Sequence, residues 1–105
     1  IRVELLHWKK KYPKQKLIFT EIGYPSIDGT SMYPWNYYLK GNIDLNEQAL
    51  CYRAFIETWK KTRQLGGVYF WVWWGKGGKE DNSYTPRNKP ASLYIQRWYK
   101  KSNYF

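Results

Sequence analysis

Cysteine and histidine, which build most metal and redox sites, each occur once in this chain, and acidic residues number eight against eighteen basic ones. The single cysteine, Cys51, excludes an internal disulfide framework and a multi-cysteine metal site. It falls among the apolar residues of a predicted helix, the setting of a buried, inert thiol. His7 sits on a predicted helix with no acidic or cysteine partner at ligand spacing, so no metal is expected, and no cofactor is called for. No signal peptide or membrane span can be read. Gly75-Lys76-Gly77-Gly78-Lys79 looks like a phosphate loop but lacks the Walker spacing and the Lys-Ser/Thr ending before a helix.

What the chain has in abundance is aromatic and cationic: seven Trp, eleven Tyr and four Phe, with a net charge of +10. Basic charge with aromatics can serve nucleic acid, neutralising phosphates and stacking bases. Tyr and Trp are equally suited to carbohydrate, where a flat ring covers the apolar face of a sugar and its polar edge stays hydrogen-bonded. Composition does not choose between the two. Position along the chain does.

Ile1, Leu5, Trp8 and Tyr12 recur at helical spacing, and Lys11-Tyr12-Pro13-Lys14 ends that helix. Lys16 to Ile22 then reads as a strand, its apolar and β-branched run Leu17 to Thr20 closed by Gly23 and Pro25. Gly23 to Ile43 has no period and reads as a long loop rich in aromatics, of the kind that tends to be functional. Asp44-Leu45-Asn46-Glu47 offers a capping box before a helix with Leu45, Ala49, Tyr52, Ile56 and Trp59 on one stripe. That helix closes in Lys60, Lys61 and Arg63, cations suited to its C-terminus. After Gly66-Gly67, the run Val68 to Trp74 reads as the second strand. A polar loop reaches Lys89, and Pro90 opens a last helix with Ala91, Tyr94, Ile95 and Trp98 on its apolar stripe.

Each strand is followed by a loop and a helix, the repeating unit of a parallel α/β sheet. Two strands do not complete such a sheet, and an eight-unit barrel takes about 250 residues. The chain, which opens at Ile1 in the middle of a helical pattern, therefore reads as a piece of about a third of a longer barrel. In that frame Glu21, Tyr24, Trp35, Trp71, Trp73 and Trp74 fall on the strand-end face or in its loops. Ten of the eighteen cations (Lys9, Lys10 and Lys11 among them, with Lys60, Lys61 and Lys101) fall on the opposite face. A nucleic-acid groove needs both on one surface, so no nucleic-acid partner is expected. The cations read as helix-end complements and solvated surface. Arg87 and Lys89 read as a plain surface loop. Glu21, at a strand tip, is placed either as a catalytic carboxylate or as a solvated strand-end charge.

Five segments recur in a recognisable order. They are Thr20-Glu21-Ile22-Gly23-Tyr24, Pro34-Trp35, Asp44 to Ala49, Gly67 to Trp73, and Tyr84-Thr85-Pro86 with Lys89-Pro90-Ala91. Together, from about Leu17 to Tyr99, they resemble the C-terminal part of clan A (β/α)8 retaining glycoside hydrolases, in particular the β-1,4-mannanase-like family 113. The resemblance implies an α/β fold, with residues 1–105 forming a partial TIM-barrel catalytic domain that holds about strands seven and eight and their helices. It implies Glu21 as nucleophile, Trp71 and then Trp73 as the aromatic lining the sugar subsite, and Trp35 and Tyr24 at the cleft. The implied partners are a β-linked polysaccharide or oligosaccharide and the remaining N-terminal part of the barrel.

A retaining glycosidase needs two carboxyls about 5–5.5 Å apart. In this clan the acid/base comes from strand four, which the sequence lacks. Asp28, Glu80 and Asp81 match no motif, and Glu47 is accounted for as a cap. Two other readings stay open: a non-catalytic carbohydrate-binding remnant of the same fold, and a basic nucleic-acid-binding module.

Overall fold

The structure, a computed structural model, describes residues 2–102. The elements run α1 (Arg2–Lys11), β1 (Leu17–Ile22), α2 (Leu45–Trp59), β2 (Leu65–Phe70) and α3 (Ala91–Ser102). β1 and β2 pair in parallel, with Leu17 opposite Leu65, Phe19 opposite Val68 and Ile22 opposite Phe70. α2 is the crossover that parallel pairing requires. No described helix is long and apolar enough to cross a membrane.

The helices cover one face of this sheet. Phe55, Ile56 and Trp59 of α2 are buried against Leu17, Phe19 and Ile22 of β1, Leu65, Val68 and Phe70 of β2, and Trp98 of α3. Aromatic edges meet faces throughout: Phe19 lies 5.1 Å from Phe55 and 5.0 Å from Trp59, and Phe70 lies 5.5 Å from Tyr52. Such tilted contacts add to the burial of ring area. A second cluster, Ala49, Tyr52, Ala91 and Ile95, joins α2 to α3. Of the predicted apolar stripes, Ala49, Tyr52, Ile56, Trp59, Ala91 and Ile95 are buried in these clusters, and Tyr94 and Trp98 pack against them. Leu45 belongs to neither cluster, and Phe55 joins the core outside the predicted stripe. On α1, Leu5 packs into the core, whereas Tyr12, one residue past the helix, is exposed and Ile1 lies outside the described residues.

The other face of the sheet is open: Ile18 is 52% and Tyr69 66% exposed. The pairing register shifts between Phe19 and Ile22. Across that irregularity Thr20 and Glu21 are both exposed, and Ile22 returns to the helix side. Bulges of this kind re-aim side chains at strand ends.

Two expectations need correction. The second strand starts and stops earlier than the aromatic run suggests, at Leu65–Phe70 rather than Val68 to Trp74. Gly66 lies inside it because β1 passes close by: a Cβ there would sit 2.9 Å from Lys16 Cβ. Past Phe70 one last ladder bond forms, Trp71 N–H to Ile22 C=O at 2.7 Å, and β1 then offers no further partner. The second correction concerns Lys89, whose side chain is fully buried and not on a surface loop.

Candidate active site

Where β1 ends, Gly23 lets the chain turn against β2. A side chain at this position would collide with the Trp71 carbonyl oxygen, 2.2 Å from an added Cβ, and would crowd the Tyr84 ring. Glu21, Ile22, Gly23 and Tyr24 thereby form one wall of an open cleft of about 290 Å³. Pro34, Trp35 and Tyr37 of the β1–α2 loop, with Trp71 and Tyr84, form the rest. Glu21 is exposed to this space, and it is the one carboxylate among the described residues that line it.

Buried polar contacts, more than apolar packing, fix the loops around the cleft. The Gln48 amide on α2 donates to the carbonyls of Tyr24 at 2.9 Å, Tyr84 at 3.3 Å and Thr85 at 3.4 Å. One side chain thus ties the end of β1 to the β2–α3 loop. Beside it, Lys89 Nζ donates to Asp81 Oδ2 at 2.6 Å, Ser26 Oγ at 2.9 Å and the Ser83 carbonyl at 3.1 Å. Burial pushes the Lys89 ammonium below its ordinary value, against the hydrogen bond and charge of Asp81. For Asp81 burial pulls upward, but the hydrogen bonds from Lys89 and Ser83 outweigh it and hold the carboxyl below its ordinary value.

The long loop after β1 is held from below by Glu47. Its carboxylate accepts from Gly29 N–H at 2.9 Å, Ser31 N–H at 2.9 Å and Ser31 Oγ at 2.7 Å. These bonds, led by the Ser31 hydroxyl, keep Glu47 below the usual carboxylate range. The capping box is therefore half present. Asp44 Oδ1 accepts from Glu47 N–H at 2.8 Å, while Asp44 N–H goes to the Ser26 carbonyl. Glu47 serves the loop and not the cap.

Of the five site residues expected from sequence, the fold brings Glu21, Tyr24, Trp35 and Trp71 to the cleft. Trp73 is not among the lining residues and is 55% exposed. Tyr24 contributes to the wall, but its ring lies edge-on to Tyr52, 5.2 Å away, and packs on the α2–α3 core. Trp35 is 68% exposed, with its ring 5.8 Å from that of Tyr33.

Tyr84 and Tyr37 were not singled out from sequence. Their rings stand 5.5 Å apart, and the Tyr84 hydroxyl donates to the Pro34 carbonyl at 2.5 Å. Burial first, then the nearby Tyr37 and Glu21 charges, raise the Tyr84 phenol above its ordinary value, so it remains a donor. The signal was the Tyr84-Thr85-Pro86 segment of the ordered motif set. Cys51 conforms to the inert reading: burial, with Glu47 nearby, pushes its thiol up to about 11.

Asp28, Asp44 and Glu47 place carboxylate oxygens within 4.8 Å of one another. The Glu47 oxygens are already engaged by loop donors, so this cluster is explained by the loop anchor.

An exposed strand-end carboxylate in an aromatic cleft suits sugar chemistry, and the comparisons decide the family. The sequence pattern of Glycoside Hydrolase Family 113 matches residues 2–94. The chain belongs to family 113. Among solved structures it resembles a GH113 β-1,4-mannanase solved as a complex, with a TM-score of 0.81 and 28% identity over 94% of this chain. It also resembles the GH113 β-mannanase from Alicyclobacillus acidocaldarius in complex with ManMIm, with a TM-score of 0.80 and 28% identity. The family 113 chain spans 33% and 34% of the length of those two structures. No match is found among curated proteins. The α/β architecture with parallel strands thus corresponds to about a third of a family 113 enzyme.

Proposed function

We propose that this chain is the C-terminal part of a (β/α)8 barrel, holding its seventh and eighth strands, in a retaining β-glycoside hydrolase that acts on β-1,4-mannan or a related β-glycan. Residues 1–105 then form one partial catalytic domain, and the rest of the barrel is its partner. The observation that carries this is Glu21 at the C-terminal end of β1, opening into a cleft walled by Trp71, Trp35 and Tyr84. Active sites of such barrels lie at the strand C-terminal ends.

In this reading an ionised Glu21 oxygen attacks the anomeric carbon as the glycosidic C–O bond breaks. The leaving oxygen takes a proton from a carboxylic acid in the remainder of the barrel. The resulting glycosyl ester is hydrolysed when water, deprotonated by that same carboxylate, attacks the anomeric carbon and restores Glu21. Strand-end backbone holds Glu21 near attack distance, and the surrounding rings displace water and cover the sugar face.

The test is a pair of substitutions in the full-length enzyme. Glu21→Gln should keep folding and sugar binding and lose turnover by several orders of magnitude. Glu21→Ala with added azide should recover product as a glycosyl azide of inverted configuration. Near-native turnover of Glu21→Gln would exclude Glu21 as nucleophile. A second reading, a carbohydrate-binding remnant without hydrolysis, rests on Glu21 being the one carboxylate lining the cleft among the described residues. In that case sugar affinity would survive and no variant would change turnover.

A further inference from the structure

The cations at the helix C-terminal end converge on built grooves. A cavity of about 730 Å³ at that end is lined by Lys16, Lys60, Lys61, Arg63 and Lys101, with Trp98 in its wall. It adjoins a second cavity of about 420 Å³, which shares Lys60, Lys101 and Trp98 and adds Arg53, Arg97 and Glu57. The second cavity lies between α2 and α3, which pack directly on each other. Arg53 to Lys60 spans about 10 Å of helix at 1.5 Å per residue.

Among the described residues that line the two cavities, one carboxylate stands against these cations. Glu57 pairs with Lys60 at 3.0 Å, and that hydrogen bond, followed by the charges of Lys60, Arg53 and Lys101, holds it below its ordinary value. Among the described residues the remaining cations have no acidic counterpart lining either cavity. Like charges gathered along one groove repel each other, and an anionic ligand would relieve that repulsion while raising its own local concentration.

We infer that this groove binds a single-chain polyanionic glycan, bearing carboxylate or sulfate groups, at the end of the molecule opposite the cleft. Two observations favour a glycan over nucleic acid. The second cavity lies along the seam between two adjacent helices, whose axes stand about 8–10 Å apart, a spacing suited to one extended chain. Single-stranded nucleic acid is held largely by free aromatic faces on which bases stack. Trp98, the aromatic shared by both cavities, instead packs edge-to-face on Phe55 and Phe70, each at 6.3 Å. Tyr94, which also lines the second cavity, packs against both buried clusters, so the groove offers charge without a free stacking platform. Binding there would leave the cleft open and would hold the protein on an anionic matrix. This surface was read from sequence as solvated charge, and the inference stands apart from the proposed hydrolysis.

The experiment measures binding of the full-length protein to a heparin fragment and, separately, to an oligo-thymidine of similar charge, across a salt series. Arg53, Arg97 and Lys101 are exposed, so R53Q/R97Q/K101Q should fold normally. Heparin should bind in a salt-sensitive way, and the triple variant should lose roughly tenfold or more in affinity with a shallower salt dependence. A control, K40Q/K76Q/K79Q, removes the same charge from exposed positions in the loops after β1 and β2 and should retain affinity. Equal losses in both triples would show that net charge alone is responsible and overturn the site. Absence of heparin binding would overturn it as well, and tighter binding of the oligonucleotide would overturn the ligand class.

Discussion

At the scale of single residues, the contrast between two tryptophans carries the functional argument. Trp59 is 6% exposed among core rings, whereas Trp71 is 42% exposed and faces the cleft. Removing a buried Trp costs about 3–5 kcal/mol of stability. Trp59→Ala should therefore lower the melting temperature sharply. Trp71→Ala should do so far less and should instead lower kcat/KM of the full-length enzyme by roughly 100-fold, the scale of about 2–3 kcal/mol for a lost ring contact. A Trp71 variant that melts early with normal kcat/KM would make it a packing residue. That Glu21 and Trp71 border one cleft was legible through the family resemblance, because position alone left Glu21 equally readable as a solvated strand-end charge. Tyr84 was not, because it stands in a polar loop without period, and only the Tyr84 bond to Pro34 and contact with Gly23 bring it to Glu21. Lys89 looked like a surface cation since nothing in its neighbourhood in sequence shows that Ser26 will meet it.

Between the elements, loops are set by carboxylates whose charge matters. Glu47 is held below its ordinary value by Ser31 and Gly29, and Asp81 by Lys89 and Ser83 once burial is outweighed. A carboxylate depressed in the folded state stabilises above its unfolded pKa, about 4, and that contribution disappears as pH falls through the folded value. The loop of residues 28–43 should accordingly be protected from hydrogen exchange at neutral pH and lose protection in acid, below about pH 4. Glu47→Gln should show a loosened loop already at neutral pH and a flatter profile. Equal protection of the native loop in strong acid would contradict the anchor. Helix positions followed from apolar stripes and Pro90, and β1 from its β-branched run. The limits of β2 did not, because intrinsic propensity favours Trp71 to Trp74 as strand and disfavours Gly66-Gly67. Close passage of β1 explains Gly66 but not Gly67, where an added Cβ would meet open space, and the end of β1 explains why the aromatics leave the sheet.

For the whole molecule, a two-stranded sheet covered on one face is the dominant physical fact. Ile18 and Tyr69 are exposed on the open side, as is Val3 on α1, and both strand edges are unpaired among the described residues. Such edges and patches recruit other chains. Produced alone, residues 1–105 should associate or melt without a sharp transition, and addition of the remaining barrel segment should give a cooperative melt. Sedimentation and calorimetry check this, and a sharp melt of a monomer would show that the chain is self-sufficient. The order of helices and strands made a partial parallel sheet legible. The way the β2–α3 loop closes over β1 was hidden, since Gln48 and Lys89 act across 24 to 63 residues of chain.

Trapping of the covalent intermediate tests the account most directly. A mechanism-based 2-fluoro-mannoside inactivator would be incubated with the full-length enzyme, followed by tryptic digestion and mass spectrometry. The account predicts one added glycosyl group, on the peptide from Leu17 to Lys40, with fragmentation locating it at Glu21 and no label on Glu21→Gln. A label on any other carboxylate would contradict the account, as would time-dependent inactivation with Glu21 unmodified.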